Sequence, residues 1–173
     1  MLINLVNKMR LSTRGRYGVR ALLDVALQPD RNPVMVKDIA RRQGIPVQYL
    51  QQLVSALSKA GLLRSIRGAR GGVTLTRPPD QIKLSEIVQA LERSTAPVKC
   101  LDDPGVCSRS DFCATRDVWG QIDKAVSEIL DSTTVQDLVN KCNERKRGRA
   151  APAPYKRSGT RQHEALTVPS EPH

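Results

Sequence analysis

A mainly α fold with a small β wing and a long trailing helix is predicted by three stretches of this sequence. Val36 to Gln43 and Pro46 to Ala60 read as two helices separated only by a break, with Gly44 ending the first and Pro46 favouring the start of the second. Leu62 to Thr76, LLRSIRGARGGVTLT, reads as strand, glycine-rich turn, strand. Beyond Thr115, the residues Val118, Trp119, Ile122, Ala125, Val126, Ile129 and Leu130 fall on one helical stripe. Together these give a winged helix-turn-helix unit followed by an amphipathic helix.

The remaining elements follow in order. Ser12 or Thr13 caps a first helix whose apolar residues, from Tyr17 through Leu27, form a face wide enough for a core helix, and Pro29 to Pro33 break it. In the helix opened by Pro46, Val47, Leu50, Leu53, Val54 and Leu57 recur at spacings of three and four, while Gln48, Gln51, Gln52, Ser55 and Ser58 fall largely away from them. Pro78 to Asp80 make a turn, and Ser85 opens a short helix with Ile87, Val88 and Leu91 inward. Thr115 is the expected cap of the long helix. A last helix over 134–142 turns Val135, Leu138, Val139 and Cys142 inward, with Cys142 as buried packing. From Asn143 the chain is basic with no apolar period, and a disordered tail is expected.

The organisation expected is therefore an extension over 1–8, since Met9 opens a better-formed segment, a winged unit over 9–92 and a cysteine-rich loop over 93–114. A dimerisation helix with a short terminal helix follows over 115–142, then a disordered basic tail over 143–173. The long stripe is assigned to a homodimer because the N-terminal half supplies its own core and helix-turn-helix proteins usually read two half-sites. No run approaches the roughly 20 apolar residues of a membrane span, and a cytoplasmic location is expected.

The 173 residues carry a formal charge of +11 that is unevenly spread. Between Arg10 and Arg77 there are 13 Lys/Arg against 3 Asp/Glu, whereas between Pro78 and Cys142 there are 7 against 11. The first half therefore suits a polyanion. Five aromatics, Tyr17, Tyr49, Phe112, Trp119 and Tyr155, offer no stacking platform for single strands, so the polyanion is double-stranded DNA. Glutamine amides donate and accept together at a base edge, which makes Gln48, Gln51 and Gln52, with Tyr49 among them, the candidate major-groove residues. Arg67 and Arg70, flanked by Gly68, Gly71 and Gly72, are the candidate wing contacts. A nucleotide-binding loop is excluded because the glycines lie between two strands, with no Gly-Lys-Ser/Thr run and no following helix.

Cys100, Cys107 and Cys113 are the candidate metal ligands, set among the loop formers Asp102, Pro104, Gly105, Ser108, Ser110 and Asp111. Six and five residues separate them, wider than the pairs that bind zinc, so a larger inorganic cluster fits better. Thiolates suit both, and ligand type alone does not decide between a cluster, zinc and a thiol switch. A surface loop that is ordered only around its centre is expected. Catalysis is disfavoured: His163 and His173 lie in the tail, leaving every cysteine without a general base.

The runs MRLSTRGRYGVRALLDVA from Met9 and IARRQGIPVQYLQQLVSALSKAGLLRSIRGARGG from Ile39, with the three clustered cysteines, resemble the IscR-type regulators of the Rrf2 family. The resemblance covers Met9 to about Cys142. It implies a dimeric transcription factor, expected to repress, whose three cysteines hold an iron-sulfur cluster, 2Fe-2S ahead of 4Fe-4S, that alters DNA binding. It also implies Gln48, Gln51 and Gln52 on the recognition helix and Arg67 in the minor groove. The family pattern has a histidine three residues after the third cysteine, where this chain has Arg116, which cannot coordinate. A carboxylate used by some relatives, eight positions along from the initiator, corresponds here to Arg16 when counted from Met9. Asp111, Asp117, Cys142, a partner's carboxylate and an exogenous ligand remain as candidates for the fourth attachment.

Overall fold

The structure, a computed structural model, describes residues 12–28, 32–68, 71–92 and 94–148. The extension over 1–8, the break at Pro29, Arg70 and the tail beyond Gly148 lie outside these residues. The elements run α1 (Thr13–Ala26), α2 (Val36–Gln43), α3 (Val47–Lys59), β1 (Leu63–Ile66), β2 (Gly72–Leu75), α4 (Leu84–Leu91), α5 (Lys99–Asp102), α6 (Ala114–Ser132) and α7 (Val135–Arg147).

Ser12 caps α1, its hydroxyl oxygen accepting from the backbone N–H of Arg14 at 3.0 Å and of Gly15 at 3.2 Å. Glu92, just past α4, accepts from the Ser12 hydroxyl and from the Gly15 N–H at 3.1 Å, so the end of α4 is tied to the start of α1. Gly44 ends α2 at φ 62°, a left-handed conformation that a side chain would disfavour. Pro46 stands at the cap of α3, one residue before the helical position expected of it. The turn between α2 and α3 is thereby held short, and the two helices pack on α1.

β1 and β2 pair antiparallel with Leu63 opposite Leu75 and Ile66 opposite Gly72. The hairpin is anchored by a bridge in which Val34 and Val73 exchange two backbone hydrogen bonds, each 2.9 Å. This fixes the wing to the segment that leads into α2. The core joins Leu22, Ile39, Leu50, Leu53, Leu57, Leu62 and Val73 to Ile82 and Ile87.

Val135 is 1% exposed within that same core, so the C-terminal helix completes the winged unit. The N-terminal half alone does not close it. The connection is made of backbone: Leu84 N–H donates to Thr133 O and Val135 N–H to Ile82 O, each at 2.9 Å.

Three helix ends differ from the sequence reading. α4 starts at Leu84, because Glu86 reaches back to the Lys83 N–H at 3.0 Å and takes the capping role assigned to Ser85. α6 starts one residue before Thr115, with Cys113 at its cap. α7 continues past Cys142 to Arg147, where Arg145, Lys146 and Arg147 complement the negative end of the helix. Cys142 on it is half-buried. The expected open cysteine loop instead contains helical turns at Lys99–Asp102, Pro104–Val106 and Ser110–Phe112.

Candidate DNA interface and cysteine segment

Leu50, Leu53, Val54 and Leu57 bury one side of α3, and this leaves Gln48, Gln51 and Gln52 exposed together on the other. Tyr49 stands apart from them. It is half-buried and meets Tyr17 of α1 edge to face, with ring centroids 6.2 Å apart and planes at 78°. The guanidinium of Arg20 lies 5.3 Å from the Tyr17 ring centre, and Arg20 Nε donates to the Gln43 side-chain oxygen at 3.1 Å.

Asp24, buried in α1, accepts from Nε of Arg42 and from Nε2 of Gln43, the latter at 2.8 Å. The Asp24 carboxylate holds the Arg42 guanidinium above its ordinary value, chiefly through these hydrogen bonds. This network sets α2 and α3 against α1. The sequence reading missed it, since the pairing spans separate helices; the signal available was a lone acid on the apolar face of α1.

In the wing, Arg67 is exposed directly after β1, followed by Gly68 at φ 111°, and Gly71 N–H closes the turn on Gly68 O at 2.9 Å. Only glycine adopts that conformation freely. Arg70 falls between Gly68 and Gly71, outside the described residues.

The cysteines lie on successive turns. Cys100 is in α5, Cys107 follows the Pro104–Val106 turn, and Cys113 caps α6. All are half-buried and none forms a disulfide. Arg116 Nε donates to Cys100 O at 3.2 Å and so fastens the first turn of α6 to α5. The residue at the position of the family's histidine is thus a backbone tether. The Cys113 sulfur lies 3.1 Å from the Thr115 hydroxyl. That hydrogen bond, then the Arg116 backbone N–H, holds the Cys113 thiol below its ordinary value against the opposing charge of Asp117.

Among the described residues no three His, Cys, Asp or Glu side chains are grouped as a metal-holding set. The segment gathers three free thiols without converging them. Asp111 and Asp117 are exposed beside the segment, whereas Cys142 is on α7, which packs on α1 and on the Pro79–Gln81 turn. In residue type the donor set fits a thiophilic centre.

Residues 11–141 match the Rrf2 family, described as iron-dependent transcriptional regulator. The chain belongs to the Rrf2 family. Protein rrf2 of Nitratidesulfovibrio vulgaris is 44% identical over 131 residues, covering 76% of this chain and 87% of that one. The structure of T. potens IscR superposes with a TM-score of 0.67 at 39% identity, covering 83% of this chain and 93% of that one. The structure of CymR, the global cysteine regulator of B. subtilis, gives 0.65 at 40% identity, covering 76% and 97%. This Rrf2-family chain is a winged-helix transcriptional regulator and not an enzyme.

Proposed function

We propose that this Rrf2-family regulator is a homodimeric repressor whose affinity for duplex DNA is set by an iron-sulfur cluster, in its 2Fe-2S form, on Cys100, Cys107 and Cys113. Gln48, Gln51 and Gln52 read base edges in the major groove, with Tyr49 beside them, and Arg67 and Arg70 reach the neighbouring minor groove.

The observation that carries this reading is continuity. Cys113 is the cap of α6, Arg116 ties that cap to Cys100, and the far end of α6 leads into Thr133 and Val135, whose backbone and side chain are bound into the winged core. A change in the cysteine segment thereby has a packed route to α3. When bound, a cluster supplies a centre whose gain or loss changes the charge and fold of this segment. The chain's own part is to present three thiolates and hold the segment on α6. The domain division expected from the sequence fits this reading with one adjustment: α7 belongs with the winged unit.

Protein purified without oxygen should be brown, with visible absorption that bleaches in air. Alanine at Cys100, Cys107 or Cys113 should each remove the colour and change operator affinity on DNA fragments enriched from the genome. Alanine at Cys142 should spare both. Colourless anaerobic protein with no iron would overturn the cluster.

The second reading is a zinc or thiol-redox site on the same cysteines. It is favoured by the unconverged sulfurs and by the likeness to CymR. Stoichiometric zinc, or DNA binding that answers to thiol oxidants in iron-free protein, distinguishes it.

A further inference from the structure

α4 and α6 line opposite sides of an open cavity of about 350 Å³. Leu84 N–H donates to Thr133 O, which sets the start of α4 beside the end of α6, so the two helices run antiparallel along it. α4 and the residue after it contribute Ser85, Gln89 and Glu92, which share one helical face, and α6 contributes Asp123, Ser127 and Asp131, which share another. Asp102 of α5 is the fourth carboxylate of the lining. We propose that this cavity binds a linear aliphatic polyamine, with its ammonium groups on the carboxylates of Glu92, Asp123 and Asp131 and its methylenes on Val88 and Leu130.

The lining runs against the charge of the chain. In a protein of net charge +11, four carboxylates and no Lys or Arg line the cavity among the described residues. None of the four forms an ion pair with a described residue. Glu92 commits Oε1 to Ser12 and Gly15, which leaves Oε2 unengaged among the described residues. Apart from charge, Oδ1 of Asp123 is buried and has no hydrogen-bond partner among the described residues. A buried carboxylate oxygen without a donor is costly, and an ammonium group supplies three. Shape decides which cation. Asp123 and Asp131 stand about 12 Å apart along α6, too far for one metal ion to join them. Nor is any described set of three acidic, Cys or His groups arranged to hold one. Val88, buried, and Leu130, half-buried, lie among these polar groups and suit a hydrocarbon chain between charged ends. The hydroxyls of Ser85 and Ser127 add acceptors for its N–H groups. A polyamine seated here bridges the winged unit and the trailing helix.

The test uses the full chain without DNA, since a duplex would itself compete for a polycation. Spermidine is titrated in by isothermal titration calorimetry, and the melting temperature is followed in parallel. One spermidine should bind per chain and raise the melting temperature. Magnesium at the same concentration, and the monoamine butylamine, should do neither. Asp123→Asn and Asp131→Asn should each weaken spermidine about tenfold, the loss of one charge-assisted contact, with circular dichroism unchanged. Glu128→Gln, which removes an exposed carboxylate of α6 outside the cavity, should bind spermidine as the unmodified protein does. An equal loss in Glu128→Gln would mean that net charge, and not the cavity, attracts the ligand. Magnesium that matches spermidine in both readouts would reduce the site to an acidic patch, and an unmodified protein that binds no spermidine would end the proposal outright. Arg93, between Glu92 and Ser94, lies outside the described residues, and Arg93→Ala is the last control. If spermidine binds only after that change, the chain's own guanidinium takes the ligand's place and the proposal falls.

Discussion

Arg42 of α2 closes on the carboxylate of Asp24 in α1, with its Nε 3.1 Å from one oxygen and 3.0 Å from the other. Asp24 is 4% exposed, so its charge is held inside the molecule by Arg42 and Gln43. The pair joins the first core helix to α2, the helix that precedes α3.

Removing one partner of such a pair strands the other. Arg42→Met should destabilise the fold by about 3 kcal/mol, at the lower end for breaking a buried pair because the Arg42 side chain is itself partly exposed. Asp24→Asn should cost less, since the amide keeps one acceptor for Arg42. Urea unfolding of the two variants checks the order. Equal stability of Arg42→Met and the unmodified protein would show that the pair is dispensable.

Acid stability follows from two caps. Burial raises Glu86, but hydrogen bonds from Arg77 at 2.7 Å and from the Lys83 backbone at 3.0 Å outweigh it and hold the carboxyl below its ordinary value. Asp137 is lowered in the same direction by the Thr134 backbone N–H at 2.8 Å and the Thr134 hydroxyl. A carboxylate lowered on folding contributes stability above its unfolded pKa, about 4, and that contribution is lost as pH falls through the lowered value. The melting temperature should therefore drop as pH falls below about 4. The drop should be shallower in Asp137→Asn and Glu86→Gln, each of which should be less stable than the unmodified protein at neutral pH. Parallel pH profiles for all three proteins would remove the caps from the account.

The wing depends on one close approach. A Cβ on Gly72 would stand 2.4 Å from Val34 O and 2.5 Å from Val34 C, backbone atoms already committed to the bridge with Val73. Gly72→Ala should break that bridge, at a cost of about 1–3 kcal/mol for forced overpacking, and weaken duplex binding more than its effect on stability explains. Amide hydrogen exchange at Val34 and Val73 reads the bridge directly. Retained protection at both, with unchanged duplex affinity, would refute it.

Local chemistry made most of the helix-turn-helix legible: Gly44 as a stop, Pro46 beside the next helix start, apolar spacing in α3 and the glycine turn of the wing each speak within a few residues. What was missed depends on distance along the chain or on polar helix. Asp24 and Arg42 are partners only once α1 and α2 pack. Val135 joins a core built by residues far earlier in the chain. The last turn of α7, Arg145 to Arg147, has no apolar period to announce it and is held by its end charges. Loop formers between the cysteines masked three short turns, because the sequence marks where the chain bends and not how tightly. Whether three sulfurs meet is a tertiary fact that spacing cannot supply.

α6 leaves its apolar stripe uncovered within the described residues. No residue of this helix is buried, and its stripe shows Val118 at 53% and Ile129 at 64% exposure, with Ile122 and Val126 half-covered. A helix with an open apolar stripe is normally covered, and a second copy of the same helix across a two-fold axis presents a matching one. The unmodified protein should therefore sediment as a dimer at micromolar concentration. Ile122→Lys with Ile129→Lys should give monomers, because each introduced ammonium would be buried against its counterpart. The winged core is built from other residues, with Leu22, Leu50, Leu57 and Ile87 fully buried, so circular dichroism of the variant should show an intact fold. Two half-sites can then no longer be engaged together, and affinity for a two-site duplex should fall to that for a single half-site. A monomeric unmodified protein, or a lysine variant that still sediments as a dimer, would move the interface away from α6.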